Sequence, residues 1–186
     1  YTLYDIPLKV GHSVRTLNEC VEVANQDMLA KTSLIETRRI VGNRSLYSEL
    51  QKRILQECIR HHEHQYIRDR QEDQIRRHEK HGNSPTMLEP DLKNGCGGLR
   101  DFHNLIWLAW FKLRTWNLED LRKGGHLTER ELTQVRKAHD FLLRVRNDLH
   151  YLANRATDIL FKSVQPTVAK HLGFKDKSPA RRIEKF

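Results

Sequence analysis

The chain has 186 residues, of which 31% are charged and 38% hydrophobic, and its formal net charge is +9. This length suits one domain with a real core, and the longest strongly apolar stretch, residues 105–113, is too short to span a bilayer. The basic residues are mixed with acidic ones, and no recognition helix, RNP motif or zinc-finger spacing accompanies them, so we expect no nucleic-acid binding.

The three cysteines, Cys20, Cys58 and Cys96, are odd in number and widely spaced. They fit reduced cytosolic thiols better than a disulfide framework, and we therefore expect a cytoplasmic protein. The positive charge leaves two kinds of partner open, an acidic protein surface or the phosphates of a nucleotide.

The N-terminal region combines one strand-like stretch with a first helix. Residues 6–10 are apolar, with a β-branched residue at each end, and predict a short strand. Thr16 is followed three residues later by Glu19, a capping-box pattern that predicts a helix running to about Gln26.

Two further helices are predicted before residue 60. Asp27 is a suitable N-cap for the second helix, which Gly42 would end. The third helix begins at Ser45, and its apolar residues recur every four positions to form one stripe. The stripe consists of Leu46, Leu50, Ile54 and Cys58.

Residues 60–80 are almost wholly polar, yet no helix breaker occurs before Gly82. This pattern predicts a long helix that projects into solvent or faces another domain rather than a core helix. Two of its histidines, His78 and His81, are spaced to share a helix face, which permits a metal site. No recognised ligand set completes such a site, so the pattern favours solvated histidines. The cluster consists of His61, His62, His64, His78 and His81.

Apolar patterns in the second half predict a bundle. Residues 102–113 are apolar nearly all round, which is typical of a central helix. Thr128 and Glu131 form a second capping box, and the helix that follows has 3-4 apolar spacing over about five turns. Two shorter helices are expected, at about 166–172 and from 179 onward. The core positions of the long helix are Leu132, Val135, Leu142, Val145, Leu149 and Leu152. We therefore expect an all-α fold, a helical bundle with a short N-terminal strand remnant.

The run at residues 88–101 holds three glycines, a lysine, an arginine and three carboxylates directly before the most apolar helix. Lys93 is a point charge and Arg100 a planar fork, and both suit phosphate or carboxylate. A packed helix starting at about Leu99 would aim its amide N–H groups at such an anion. The alternative is a glycine-containing turn capped by Asp101, because glycine-loop matches are common by chance.

The same run belongs to an ordered set of motifs. Residues 88–101 read LEPDLKNGCGGLRD, residues 8–16 read LKVGHSVRT and residues 34–42 read LIETRRIVG. Together they resemble the protein-PII uridylyltransferase/uridylyl-removing family, whose loop usually reads LEPN-(I/V)-K-x-G-x-GGLRD. Cys96 stands where that family often has proline. The segments 149–153 and 171–174 fit later landmarks, so the resemblance spans nearly the whole chain.

The resemblance implies that the parent enzyme transfers UMP from UTP to a tyrosine of the PII nitrogen-regulatory protein with Mg²⁺, and that a separate hydrolase domain removes the group. The family's catalytic core precedes GHSVRT and carries paired aspartates for its metals, which this chain lacks upstream of Asp5. We expect no catalytic residue here, most magnesium ligands elsewhere, and an inactive fragment. Residues 1–15 would end the core, and residues 16–186 would form the helical domain with its signature loop, 88–101.

The resemblance also implies which side chains border the nucleotide. Lys93 and Arg100 would help to neutralise the triphosphate, and Asp101 would cap the central helix or orient Arg100. Ser13 and Arg15 would touch polar or phosphate groups at the cleft edge, although simple strand-end polarity explains them equally well. The candidate nucleotide- or substrate-binding residues are Lys93, Gly95, Gly97, Gly98, Arg100, Asp101, Ser13 and Arg15.

Two other functions stay open at this point. A non-catalytic helical module could dock an acidic partner through its basic faces. The related glutamine-synthetase adenylyltransferases carry a shorter version of the same loop, so the chain could also be a domain of one of those enzymes.

Overall fold

The computed structural model describes residues 10–176 and 178–186. In this described part the regular structure consists of α-helices and one π-helical segment, without a strand, which confirms the all-α prediction. The strand predicted at residues 6–10 lies, except for its last residue, outside the described residues. None of the described helices combines the length and apolar character needed to cross a membrane. The chain divides into two compact units, Tyr1–Tyr66 and Ile67–Phe186.

The helices of the first unit begin where short polar side chains cap them. Thr16 and Glu19 form the predicted capping box, and Asp27 accepts a hydrogen bond from the Ala30 amide at 2.7 Å. The third helix begins one residue earlier than predicted, because the Asn43 side chain accepts from two amides and serves as the N-cap. These elements are α1 (Leu17–Gln26), α2 (Met28–Ile35), α3 (Arg44–Arg53) and the π-helical segment (Ile54–Ile59).

Two predictions about the first unit are wrong in detail. The helix α2 ends at Ile35, well before Gly42, because the Thr37 hydroxyl donates to the Leu34 carbonyl at 2.8 Å and closes the last turn. The stripe of the third helix is buried only at its end, in the π-helical segment, whereas Leu46 is exposed.

The second unit contains the rest of the helices. The long polar helix α4 begins in the first unit and continues into the second. Residues 118–123 form a short helix that the sequence patterns did not predict, and the Asn117 side chain caps it. The described elements here are α4 (Glu63–Lys80), α5 (Leu99–Leu113), α6 (Leu118–Lys123), α7 (Glu129–Ala153), α8 (Gln165–His171) and α9 (Pro179–Lys185).

Two apolar clusters stabilise the second unit. The first joins α5, α6 and α7 through Ala109, Leu118, Leu121 and Leu132. The second joins α7 and α8 to the run before α5 and to the segment between α7 and α8 through Leu92, Val145, Leu149, Leu160 and Val168. Because Leu92 belongs to the run 88–101, this run is fixed to the core from its start.

The helix α4 does not project into solvent as predicted. Its Arg70 is 1% exposed, and the guanidinium donates to the Asn104 side chain of α5 at 3.0 Å. The same guanidinium lies 4.4 Å from the centre of the Trp107 ring, a cation–π contact. A polar helix can be buried when its polar groups are paired with partners on another helix, and hydropathy does not reveal such pairing.

Candidate functional site

The signature loop, residues 88–101, is joined by its backbone to the segment that follows α7. Asp91 and Ile159 form an isolated antiparallel bridge. The Leu92 amide donates to the Asp158 carbonyl at 2.8 Å, and the Leu160 amide donates to the Pro90 carbonyl at 3.0 Å. These bonds, together with the buried Leu92 side chain, fix the position of the first part of the loop on the core.

The first half of the loop folds around the Asp91 side chain. One of its carboxylate oxygens accepts hydrogen bonds from the Lys93 and Asn94 amides at 2.9 and 2.7 Å. This Asx-type turn is a common use of aspartate before a glycine. The other oxygen lies 3.0 Å from Nδ1 of His81, just after α4.

Each glycine of the second half is required by the backbone. A Cβ on Gly95 would lie 2.7 Å from the Asp91 carbonyl oxygen, and one on Gly98 would lie 2.9 Å from the Leu92 oxygen. Gly97 has a φ of +75°, in the left-handed region that glycine adopts without steric penalty. The loop's own fold therefore accounts for all three glycines.

The expectation that the N-terminus of α5 aims its amides at an anion is wrong. The Leu99 and Arg100 amides donate to the Leu92 and Lys93 carbonyls at 2.9 and 2.8 Å. The amides of Gly98 and Asp101 are likewise bonded to carbonyls inside the loop. Since the loop uses these four donors to close on itself, they are not available to an anion.

Asp101 holds the loop to α4 instead of orienting Arg100. Its carboxylate accepts hydrogen bonds from Gln74 at 2.9 Å, from Arg77 at 2.5 Å and from the Gly97 amide at 2.8 Å. It also lies 3.0 Å from Nε2 of His78. Burial raises the pKa of Asp101, but the bonds from Arg77, Gly97 and Gln74 lower it more, so this pKa is below its usual value.

The interpretation of His78 and His81 as solvated histidines is also wrong, because each lies against a loop carboxylate, Asp101 for the first and Asp91 for the second. Within the described residues, no group of three or more His, Cys, Asp or Glu side chains could hold a metal ion. The two histidines do not share a helix face as predicted, because α4 ends at Lys80 and His81 lies just after it, and the partners of both lie in the loop that follows.

The two cations of the loop are only loosely engaged. Lys93 Nζ lies 3.9 Å from an Asp158 oxygen, while Arg146 of α7 bonds the other oxygen of that carboxylate at 2.7 Å. Burial raises the pKa of Asp158. The hydrogen bond from Arg146 and the positive charges of Arg146 and Lys93 lower this pKa by more, so it lies below its usual value.

Arg100 makes no ion pair with the described part of the chain. Its guanidinium lies 5.5 Å from the centre of the ring of Trp107, seven residues later in α5. Lys93 and Arg100 are adjacent in space at the backbone level, because the Arg100 amide donates to the Lys93 carbonyl. The loop therefore carries two cationic side chains, close at their origins, whose charges are not neutralised by strong ion pairs.

The glycine side of the loop borders a cavity of about 530 Å³, a volume within the usual range of small-molecule sites. Cys96, Gly97 and Gly98 line it from the loop, and Leu142 and Phe186 line it from the helical side. Cys96, the departure from the resembled pattern, therefore faces this cavity.

The structure gathers six of the eight candidate residues, those numbered 93–101, in one loop of the second unit. The other two, Ser13 and Arg15, lie in the first unit, in the irregular segment before α1, and both are exposed. Their role at a cleft stays a prediction. The partners that hold the loop, Gln74, Arg77 and His78, were missed by sequence reasoning because they lie in a helix that appeared wholly solvated.

We expect Asp101→Asn to lower the stability of the second unit by about 1.5–3 kcal/mol at neutral pH, the usual contribution of hydrogen bonds to a charged group. A carboxylate whose folded pKa is depressed stabilises the fold above its unfolded pKa, here 3.8, and loses that contribution as the pH falls through the folded pKa. The difference in the free energy of unfolding between the variant and the wild type should therefore become smaller below about pH 4.

The measurement is urea denaturation of both proteins at several pH values, followed by tryptophan fluorescence. All three tryptophans, Trp107, Trp110 and Trp116, lie in the second unit, so the signal reports that unit. Asp140→Asn, at an exposed position of α7, is the matched control and should change stability by less than about 0.5 kcal/mol. A stability difference between Asp101→Asn and the wild type that stays constant down to pH 3 would contradict the role of the ionised Asp101.

Comparison with known proteins gives two matches to one family. Residues 65–186 match the family described as GlnD PII-uridylyltransferase. The whole chain is 36% identical over 186 residues to a bifunctional uridylyltransferase/uridylyl-removing enzyme of Rhodospirillum rubrum, of which it covers 20%. The chain thus spans about a fifth of the length of this curated relative. No solved structure matches it.

Proposed function

The chain belongs to the GlnD PII-uridylyltransferase family, and from this membership we propose that it is the helical domain that closes one wall of the nucleotide cleft in a longer enzyme. That enzyme transfers UMP from UTP to the PII protein and releases pyrophosphate. Residues 1–15 are the end of the nucleotidyltransferase core, and residues 16–186 are the helical domain. The enzyme acts in the cytoplasm.

The observation that supports this role is the state of the two loop cations. A nucleoside triphosphate carries several negative charges, which grow on the leaving pyrophosphate as the bond to the α-phosphorus breaks. Lys93 and Arg100 come from adjacent points of a loop that the core and α4 hold in place. Cations that start from a fixed backbone and lack strong internal partners suit the stabilisation of such charge, because they can approach it without first breaking an ion pair within the chain.

We assign the Mg²⁺ ions that nucleotidyl transfer requires to other parts of the enzyme. The described residues offer no group of carboxylates or histidines fit to hold a metal ion. Asp91, Asp101 and Asp158 are each engaged by cationic or amide donors of the chain itself. These carboxylates are therefore assigned to holding the loop and not to binding Mg²⁺.

This function is tested by assaying the full-length enzyme beside the 186-residue chain, with labelled UTP or ATP and with PII or glutamine synthetase as the acceptor. The full-length enzyme should transfer UMP from UTP to PII, and the chain alone should transfer nothing, because it lacks paired aspartates for two-metal chemistry. Transfer of AMP to glutamine synthetase would assign the chain to an adenylyltransferase instead. No transfer by the full-length enzyme would favour the non-catalytic module, and transfer by the chain alone would overturn the assignment of catalysis to another domain.

A further inference from the structure

We propose that Arg77, near the C-terminal end of α4, is a positioning residue that sets the separation of Lys93 and Arg100. This inference rests on the proposed function of those two side chains at the nucleotide. Arg77 is outside the signature loop, and it contacts the loop at two residues, each of which directly follows one of the two cations.

The two contacts come from one guanidinium group. Its Nη1 donates to the Asn94 carbonyl oxygen at 2.7 Å, and its Nη2 donates to the Asp101 carboxylate at 2.5 Å. Asn94 directly follows Lys93, and Asp101 directly follows Arg100. A single planar group therefore spans the residues next to the two proposed phosphate-binding cations.

The surroundings of Arg77 make this span rigid. Its side chain is only 10% exposed, and the Asp101 carboxylate that it bonds is also held by Gln74 and His78 of the same helix. A bidentate guanidinium fixes two acceptors at a defined distance, because its donors lie in one plane. Lysine keeps the charge but is a point donor on a flexible stem, so it cannot hold both acceptors in the same geometry.

The helix offers a matched control in the neighbouring residue. Arg76 differs from Arg77 in its exposure, with a side chain that is 68% exposed and a weak pair to Glu72 at 3.8 Å. Exchange of Arg76 for lysine should leave the loop untouched, since exposed pairs of this kind contribute little. Both substitutions keep the charge and occupy adjacent positions of one helix.

The experiment compares Arg77→Lys and Arg76→Lys in the full-length enzyme, with UTP kinetics measured well below the melting temperature of each variant. We expect Arg77→Lys to lower kcat/KM for UTP about 10- to 100-fold, mostly through kcat, because small misplacements of charged groups act on the transition state. Arg76→Lys should retain wild-type kinetics. Circular dichroism and melting curves confirm that each variant is folded at the assay temperature.

A double variant separates positioning from a merely structural role. If Arg77 acts through the loop cations, Arg77→Lys should lower kcat/KM much less when Arg100 is already alanine than it does in the wild type. Equal fold losses in both backgrounds would overturn the inference, as would wild-type kinetics of Arg77→Lys while Lys93→Ala and Arg100→Ala are impaired. Wild-type kinetics of Lys93→Ala and Arg100→Ala would instead remove the proposed function of the loop, and this inference with it.

Discussion

Replacing Arg100 with alanine in the full-length enzyme is expected to lower kcat/KM for UTP by about 10²–10³-fold, the range found for single preorganised electrostatic donors. The structure supplies the physical reason. The guanidinium makes no ion pair with the described part of the chain and lies 5.5 Å from the Trp107 ring centre. Its charge is therefore available to a phosphate group, and it starts from a backbone position that the core and α4 hold fixed.

The same geometry predicts a small effect on folding. Removing Arg100 loses one cation–π contact, which contributes about 0.5–1 kcal/mol at a partly exposed site. Lys93 pairs with Asp158 at a long 3.9 Å, so Lys93→Ala should also leave stability nearly unchanged. A purely structural loop would give the opposite result, in which activity falls only in step with the melting temperature.

The measurement pairs UTP kinetics with melting curves for Lys93→Ala, Arg100→Ala and Arg100→Lys in the full-length enzyme. Arg100→Lys keeps the charge but loses the bidentate fork, so a phosphate clamp should be impaired by this exchange as well. Arg144→Ala, at an exposed position of α7, is the control for loss of a positive charge. If all three loop variants keep wild-type kinetics, the loop does not act on the nucleotide.

The features that could be predicted from the sequence are those fixed by neighbouring residues. Both capping boxes, Thr16 with Glu19 and Thr128 with Glu131, form as expected. A capping box joins residues three apart, so its geometry follows from local spacing alone. The motif resemblance likewise depended on local runs of letters, and it led to the correct family.

The features that could not be predicted depend on partners far apart in the chain. Asp101 is bonded by Arg77, 24 residues earlier, and Arg70 is buried against Asn104, 34 residues later. In both pairs a polar residue is largely or fully withdrawn from solvent because its partner is polar too, whereas a hydropathy pattern alone predicts that such residues are exposed. This is why α4 was predicted to project into solvent or to face another domain, although it holds the signature loop.

The partners of the loop's backbone amides could not be predicted from the sequence either. Its composition predicted amides directed at an anion, whereas those amides close the loop through carbonyls three or seven residues earlier, as in Leu99 to Leu92. Glycine content indicates that a chain bends closely, but it does not indicate whether a ligand or the chain itself fills the bend. The apolar periodicity of α7 is limited in a similar way. It predicts which face of the helix is apolar, but it does not predict where along the helix the neighbouring elements stop covering that face.

That limit leads to a prediction about Leu149 and Leu152, which share the apolar stripe of α7 but differ in burial. Leu149 is 2% exposed in the second core cluster, whereas Leu152 is 40% exposed, so its prediction as a core residue is wrong. Leu149→Ala should lower the free energy of unfolding of the second unit by about 2–5 kcal/mol, since it removes buried methyl groups and leaves a cavity. Leu152→Ala should change it by about 0.5 kcal/mol or less, as most surface substitutions do.

The pair is a stringent test because the two substitutions are chemically identical and lie three residues apart on one helix. Both replace leucine by alanine, which changes helix propensity little, so the difference between the two variants reports chiefly burial. Urea denaturation of the 186-residue chain, followed by the fluorescence of the three tryptophans of the second unit, measures both. Equal losses at the two positions would mean that the end of α7 is covered, and that Leu152 belongs to the same core as Leu149. A difference of the expected size would show that, along α7, the core that also contains Leu92 of the signature loop ends at Leu149.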